Sequence, residues 1–187
     1  MVELLLQEKA DVNAAAGYSG RTALQAAAEG GHLAVVKRLL QEKADVNAAA
    51  TNYSGRTALQ AAAGGGHLAV VERLLQEKAD ADVNAAAAKY NERTALQAAA
   101  EGGHLVVVER LLQEKADVNT AAAKYNGRTA LQTAAQGGHL AVVERLLQEK
   151  VDINTAAKYN GKTALQVAAE GGHKKVVECL RQAGAVK

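Results

Sequence analysis

The chain has 187 residues and a formal charge of +2, from 22 Lys and Arg against 20 Asp and Glu, a balance that excludes a broadly phosphate-neutralising surface. Hydrophobic residues make up 49%, yet Pro, Trp and Phe are absent and Tyr supplies the only aromatics, so any core must be built from Ala, Leu and Val. A single cysteine, Cys179, excludes an internal disulfide framework and fits a reducing, cytoplasmic compartment; no apolar run approaches the ~18–20 residues of a membrane span and no signal peptide is read.

Repetition organises everything else. Met1 to Asn13 aligns with Val35 to Asn47, so residues 1–13 read as half of a unit whose first helix is missing. The string Thr-Ala-Leu-Gln then begins at Thr22, Thr57, Thr94, Thr129 and Thr163, in steps of 35, 37, 35 and 34 residues. A short Ala run, Gly-Gly-His and an apolar stretch follow each time. Within one unit, Thr22 to about Gly30 predicts a short helix capped by the threonine hydroxyl. Gly30-Gly31 ends it. Leu33 to about Glu42 predicts a longer helix with Val35, Val36, Leu39 and Leu40 on one face. Neither helix is long enough to persist alone, so stacking on neighbours is obligatory. The expected core is Leu24, Leu39, Leu40, Leu59, Leu74, Leu75, Leu96, Leu111, Leu112, Leu131, Leu146, Leu147 and Leu165, with alanines allowing close helix approach. Between Lys78 and Val83 the text is two residues longer than its counterparts, which predicts a bulged loop between undisturbed helices.

With Thr22-Ala23-Leu24-Gln25-Ala26-Ala27, Gly31-His32-Leu33, Leu39-Leu40 and Ala44-Asp45-Val46-Asn47 recurring through essentially the whole chain, the sequence resembles the ankyrin repeat family. Its signature is Thr-Pro-Leu-His-x-Ala in a unit of ~33 residues. The resemblance implies an all-α solenoid of helix-turn-helix units with extended inter-repeat loops. The expected division of the single domain is a half repeat (1–13), full repeats 14–47, 48–84, 85–119 and 120–154, and a capping repeat 155–187, where Lys174-Lys175 replace a Leu-Ala pair. Alanine stands at the signature proline and glutamine at its histidine in every unit. Lys43, Lys78 and Lys115 occupy the place of a helix-ending glycine, still present as Gly184. A lysine held at positive φ costs about 1–2 kcal/mol, so these turns either accept the strain or adopt another geometry. The loop before each Thr is longer than the family norm and contains an alanine triplet such as Ala48-Ala49-Ala50.

Catalytic and metal chemistry are not supported. His32, His67, His104, His139 and His173 hold one equivalent position per unit, so stacking separates them by about 8–10 Å, too far to share zinc at ~2.0–2.1 Å. The resemblance implies that they tie neighbouring loops by hydrogen bonds. Gly161-Lys162-Thr163 imitates the end of a phosphate loop, but Ala156 stands where its first glycine belongs; it reads as a turn before a helix cap. Gly64-Gly65-Gly66 follows no strand and so is no dinucleotide motif. Asn52-Tyr53-Ser54 is an accidental sequon without a secretory signal. Cys179 lacks a histidine partner and is a poor nucleophile. No enzyme and no cofactor are expected.

What remains is surface. Tyr18, Tyr53, Tyr90, Tyr125 and Tyr159 stand four positions before each Thr, and Arg21, Arg56, Arg93, Arg128 and Lys162 one position before it. Both rows fall on inter-repeat loops, which project as fingers in ankyrin arrays. Seven positions after the Thr come Glu29, Gly64, Glu101, Gln136 and Glu170, expected on the concave helix face. Tyr and Arg are enriched at binding hot spots, so two readings of the rows stand: anchors for a protein or peptide, or rings packed on their own loops with snorkelling cations. Nucleic acid is disfavoured by the nearby Glu row, and a membrane surface by the lack of a Lys/Arg-rich helix face.

The expected function is a non-catalytic protein–protein interaction module or scaffold. Alternatives are an engineered ankyrin binder and a structural spacer from a larger sensor; units this uniform resemble the ankyrin tails of fungal immune-receptor-like proteins. The scatter of Val106, Thr133 and Ile153 through framework and surface favours natural duplication over engineering. A mostly monomeric chain is expected, with weak self-association through Leu4, Leu5 and Leu6 on the bare first helix.

Overall fold

The computed structural model describes residues 10–15, 20–48, 56–77, 82–85, 93–120, 127–157 and 161–186. Within them lie five pairs of helices and no strand: α1 (Ala23–Glu29) with α2 (Leu33–Gln41), α3 (Ala58–Gly64) with α4 (Leu68–Gln76), α5 (Ala95–Glu101) with α6 (Leu105–Gln113), α7 (Ala130–Gly137) with α8 (Leu140–Leu147), and α9 (Ala164–Glu170) with α10 (Lys174–Gln182). Each helix packs against its own partner and against its counterparts in the adjoining pairs. The result is the all-α solenoid that the repeat implies.

Every first helix starts the same way. Thr22, Thr57, Thr94, Thr129 and Thr163 have extended backbones as N-caps, and each hydroxyl accepts the amide of the glutamine three residues on. That glutamine's Oε1 accepts the threonine amide in return, at 2.8–2.9 Å. The reciprocal pair satisfies two orphan donors in a helix too short to lose either.

The core runs unbroken through the stack. Alanines such as Ala62, Ala99 and Ala134 are fully buried and let the first helices approach closely. First helices consequently pack more extensively on one another than second helices do, which puts the first-helix row on the inner, concave side. Valines of the second helices, among them Val36, Val71, Val108 and Val143, complete the interior. Eleven of the thirteen expected core leucines are buried. Leu112 and Leu147 are corrections to that expectation: both are only half-buried, packed against the edge of the core. Leu40 and Leu75, at 9% and 7% exposure, hold the same register one residue beyond Leu39 and Leu74. All four thus lie about 100° around the helix from the innermost leucine and differ only in how far the core edge covers them.

Lys43 and Lys115 take φ values of 64° and 62°, so both turns accept the left-handed strain rather than adopting another geometry. Lys78 lies outside the described residues. Relief of about 1–2 kcal/mol of strain, less the 0.5–1 kcal/mol that glycine's added unfolded-state freedom costs, predicts that Lys43→Gly or Lys115→Gly stabilises the array by about 0.5–1 kcal/mol. An upward shift of the urea midpoint checks it, and a downward shift would contradict it. The loop carrying the two-residue insertion also lies largely outside the described residues. The flanking α4 and α5 keep the lengths of their counterparts α2 and α1, nine and seven residues, so the insertion leaves them undisturbed.

Candidate functional site

Polar side chains join one unit to the next in three ways. The histidines are the first. Nε2 of His67, His104, His139 and His173 lies 2.9, 3.0, 2.8 and 2.8 Å from the carbonyl oxygens of Glu29, Gly64, Glu101 and Gln136 in the preceding unit. The Gly-Gly-His motif is the housing for these rings. A Cβ on Gly102 would sit 2.3 Å from the His104 ring, and one on Gly66, where φ is +72°, would sit 2.6 Å from the same ring. Each imidazole is thus enclosed by a glycine of its own unit and one of the unit before, as the structural reading of the row requires.

The buried glutamines are the second tie, and sequence reasoning missed it. Besides closing the capping box, Nε2 of Gln25, Gln60, Gln97 and Gln132 donates to the carbonyl of Ala48, Ala85, Thr120 and Thr155, at 2.5–2.8 Å. The third is asparagine: Oδ1 of Asn13, Asn84, Asn119 and Asn154 accepts the amide of Asp45, Asp117, Asp152 and Val186 in the following unit, at 2.8–2.9 Å. No buried side-chain nitrogen or oxygen among the described residues lacks a partner.

The predicted interaction rows divide sharply. Tyr18, Tyr53, Tyr90, Tyr125 and Tyr159 all lie outside the described residues. The cation row and the row at the ends of the first helices, read from the sequence as separate, are brought together eight residues apart. Arg21 pairs with Glu29 and Arg93 with Glu101, the Lys162 ammonium lies 2.7 Å from Glu170, and Arg128 donates to the neutral amide oxygen of Gln136. The co-occurrence of cation and acid at i and i+8 was the available signal. At side-chain exposures near one half, these bridges contribute little stability, about 0–1 kcal/mol each. Their consequence is to arrange charge along the inner face. Arg38–Glu42, Arg73–Glu77, Arg110–Glu114 and Arg145–Glu149 form a parallel set on the second helices at i,i+4 spacing.

The second unit breaks the inner row. Gly64 stands where the other units carry Glu or Gln, and Arg56 has no hydrogen bond or ion pair among the described residues. A cleft of about 200 Å³ opens there, lined by Arg56, Gln60 and Gly64 from one unit and Arg93, Ala98 and Glu101 from the next.

The family model described as ankyrin repeats in three copies matches residues 1–87, 47–122, 79–157 and 119–187, overlapping matches that together span the sequence. The chain belongs to the ankyrin repeat family. No curated protein matches it. Within this ankyrin array, glutamine at the signature histidine still offers one acceptor and one donor, which are the two functions used at that position. Among the described residues, no group of three or more His, Cys, Asp or Glu could hold a metal ion, and no helix is long and apolar enough to cross a membrane. Cys179 is half-buried; burial, and secondly the Glu144 carboxylate, push its thiol pKa up, which keeps it protonated and weakly nucleophilic.

Proposed function

We propose that this ankyrin array is a non-catalytic protein–protein interaction module that binds a protein or peptide along its concave first-helix face and inter-repeat fingers. Ankyrin repeats generally mediate protein–protein interaction, and the family is typically non-catalytic. The observation that carries the reading is the inner charge row, a cation on each of five successive units. Four of them are held by the side chain eight residues on and Arg56 lines a cleft, on a frame whose buried side-chain polar atoms all have partners among the described residues. Cations held in register by a stiff scaffold meet a partner at little ordering cost. The tyrosine fingers extend that surface in the proposal, and the single cysteine favours an intracellular setting. Val106 is 54% exposed and Thr133 buried, so unit-to-unit differences reach both surface and interior, which supports natural duplication over an engineered library.

Affinity capture from the source lysate, with the chain and a variant carrying all five Tyr→Ala changes, tests the proposal once circular dichroism confirms equal helicity. A partner held by the first and lost by the second identifies tyrosine fingers. Equal capture by both moves binding to the concave face or the end of the array. Capture of nothing by either overturns the interaction reading in favour of a structural spacer.

A further inference from the structure

The break in the inner charge row is a vacant place of defined shape and charge. In the units on either side, the residue eight positions after the arginine is a glutamate whose carboxylate meets the guanidinium. In the second unit the arginine remains, and Gly64 removes the acid from Cβ outward. Arg56 has not turned away: its Nη1 lies 3.8 Å from where a Gly64 Cβ would be, and the Cβ of Ala98 lies 3.6 Å from that point, both ordinary contact distances. The cleft is therefore the space a glutamate side chain occupies elsewhere in the same protein, with its cation still in place.

Charge points to what fills it. Two guanidinium groups, Arg56 and Arg93, line the cleft against one carboxylate, Glu101, which is already engaged by Arg93. Arg128 is the other arginine without a carboxylate in its own unit, but the Gln136 amide already takes its hydrogen bond, and Glu101 lines its cleft as well. Among the described residues of the inner row, Arg56 is the cation that couples an unspent charge to an empty space. Partly enclosed guanidinium–carboxylate contacts are worth more than the exposed bridges flanking them.

We infer that the Arg56–Gly64 cleft is an acceptor for an acidic side chain, glutamate by shape, carried on an extended segment of a protein partner. The partner supplies in trans the carboxylate that the other units supply in cis. This rests on the interaction-module reading and specifies where on the concave face recognition occurs and by what chemistry.

The test uses the full 187-residue chain and a fluorescein-labelled peptide of alternating Glu and Gly, with its Glu→Gln counterpart, titrated by fluorescence anisotropy at about 0.1 M salt, where the Debye length is about 10 Å. The Glu peptide should bind about tenfold more tightly than the Gln peptide, and Gly64→Glu or Gly64→Gln, each filling the cleft from within, should weaken it about tenfold. Gly64 lies at a helix end without positive φ, so both variants place there a residue type the other units already use. Ala69→Glu, which adds the same charge as Gly64→Glu at an exposed position of α4 that does not line the cleft, should leave affinity within about twofold. Undiminished binding by the Gly64 variants, an equal loss in Ala69→Glu, or no binding by the unaltered chain would each overturn the inference. The two readings fail separately. A lysate partner retained by Gly64→Glu removes the acceptor cleft and leaves the module standing. Gly64-dependent peptide binding with no lysate partner removes only the module.

Discussion

Leu96→Ala is expected to lower the free energy of unfolding by about 2–5 kcal/mol, the range for truncating a fully enclosed leucine. Leu96 is 1% exposed in α5, the central first helix, which packs on α3, α6 and α7. The first helices it packs among are rich in alanine, which has no flexible side chain to move into a void, so the site collapses poorly and the cost falls toward the upper part of that range. The location adds a second consequence. In a linear array, stability is a sum of unit terms and nearest-neighbour interfaces, so a defect in the middle weakens coupling between the two halves. The urea transition should broaden, with a smaller apparent m-value, as the halves begin to unfold separately. Leu112→Ala is the contrasting change: Leu112 is only half-buried at the edge of the core, so its loss should cost about 1–2 kcal/mol, scaling with the smaller area withdrawn from water. Equal losses at the two positions would contradict the placement of the core edge. No loss at Leu96 would remove it from the interior.

The fold was legible in the sequence because its determinants are local and repeated. Threonine before a short apolar helix, paired glycines after it and a second helix with valine and leucine on one face recur five times, and α1 to α10 fall where that pattern places them. The histidine row was equally readable, since equivalent positions in stacked units cannot converge on one metal. Two things were hidden. Leu112 and Leu147 carry the same letters, in the same register, as the buried Leu40 and Leu75, so the sequence pattern cannot separate them and only the packing of the core edge does. The pairing of Arg21 with Glu29 and of Arg93 with Glu101 was hidden for a different reason. Eight residues is a spacing that an uninterrupted helix does not favour for contact, and it works here because each arginine lies before the helix start, where the extended threonine directs it back along the outside. Once that link is known, Gly64 changes meaning. In the sequence it is one more glycine in a run of three; in the structure it is the missing acid of a charge row.

Gln97→Leu should destabilise the array by about 2–4 kcal/mol although it preserves most of the side-chain volume. Gln97 is 1% exposed, and its Oε1 accepts the Thr94 amide at 2.8 Å while its Nε2 donates to the Thr120 carbonyl at 2.7 Å. Leucine leaves both groups without a partner, and a buried orphan costs about 1–3 kcal/mol. The Thr94 amide is the more expensive of the two, since Thr94 is itself 2% exposed and water has no route to it. Gln97→His is the informative companion, because an imidazole presents one acceptor and one donor and is the residue of the family signature. It should recover most of the loss, leaving a deficit below about 1 kcal/mol set by differences in reach. Gln97→Glu separates the two bonds by charge. The carboxylate still accepts the Thr94 amide but faces the Thr120 carbonyl with no proton to offer, so burial and repulsion raise the carboxyl pKa above its unfolded value of about 4.3. A raised folded pKa means that stability is present below the unfolded value and lost as pH rises through the folded one. Gln97→Glu should thus lie near the parent protein at about pH 4, where its acid proton replaces the amide donor, and fall away from it toward pH 7. Chemical melts of the three variants at both pH values check the set. A Gln97→Leu protein as stable as the parent would show that the inter-repeat glutamine bond contributes nothing net, and a pH-independent Gln97→Glu deficit would show that the Thr120 carbonyl finds another donor.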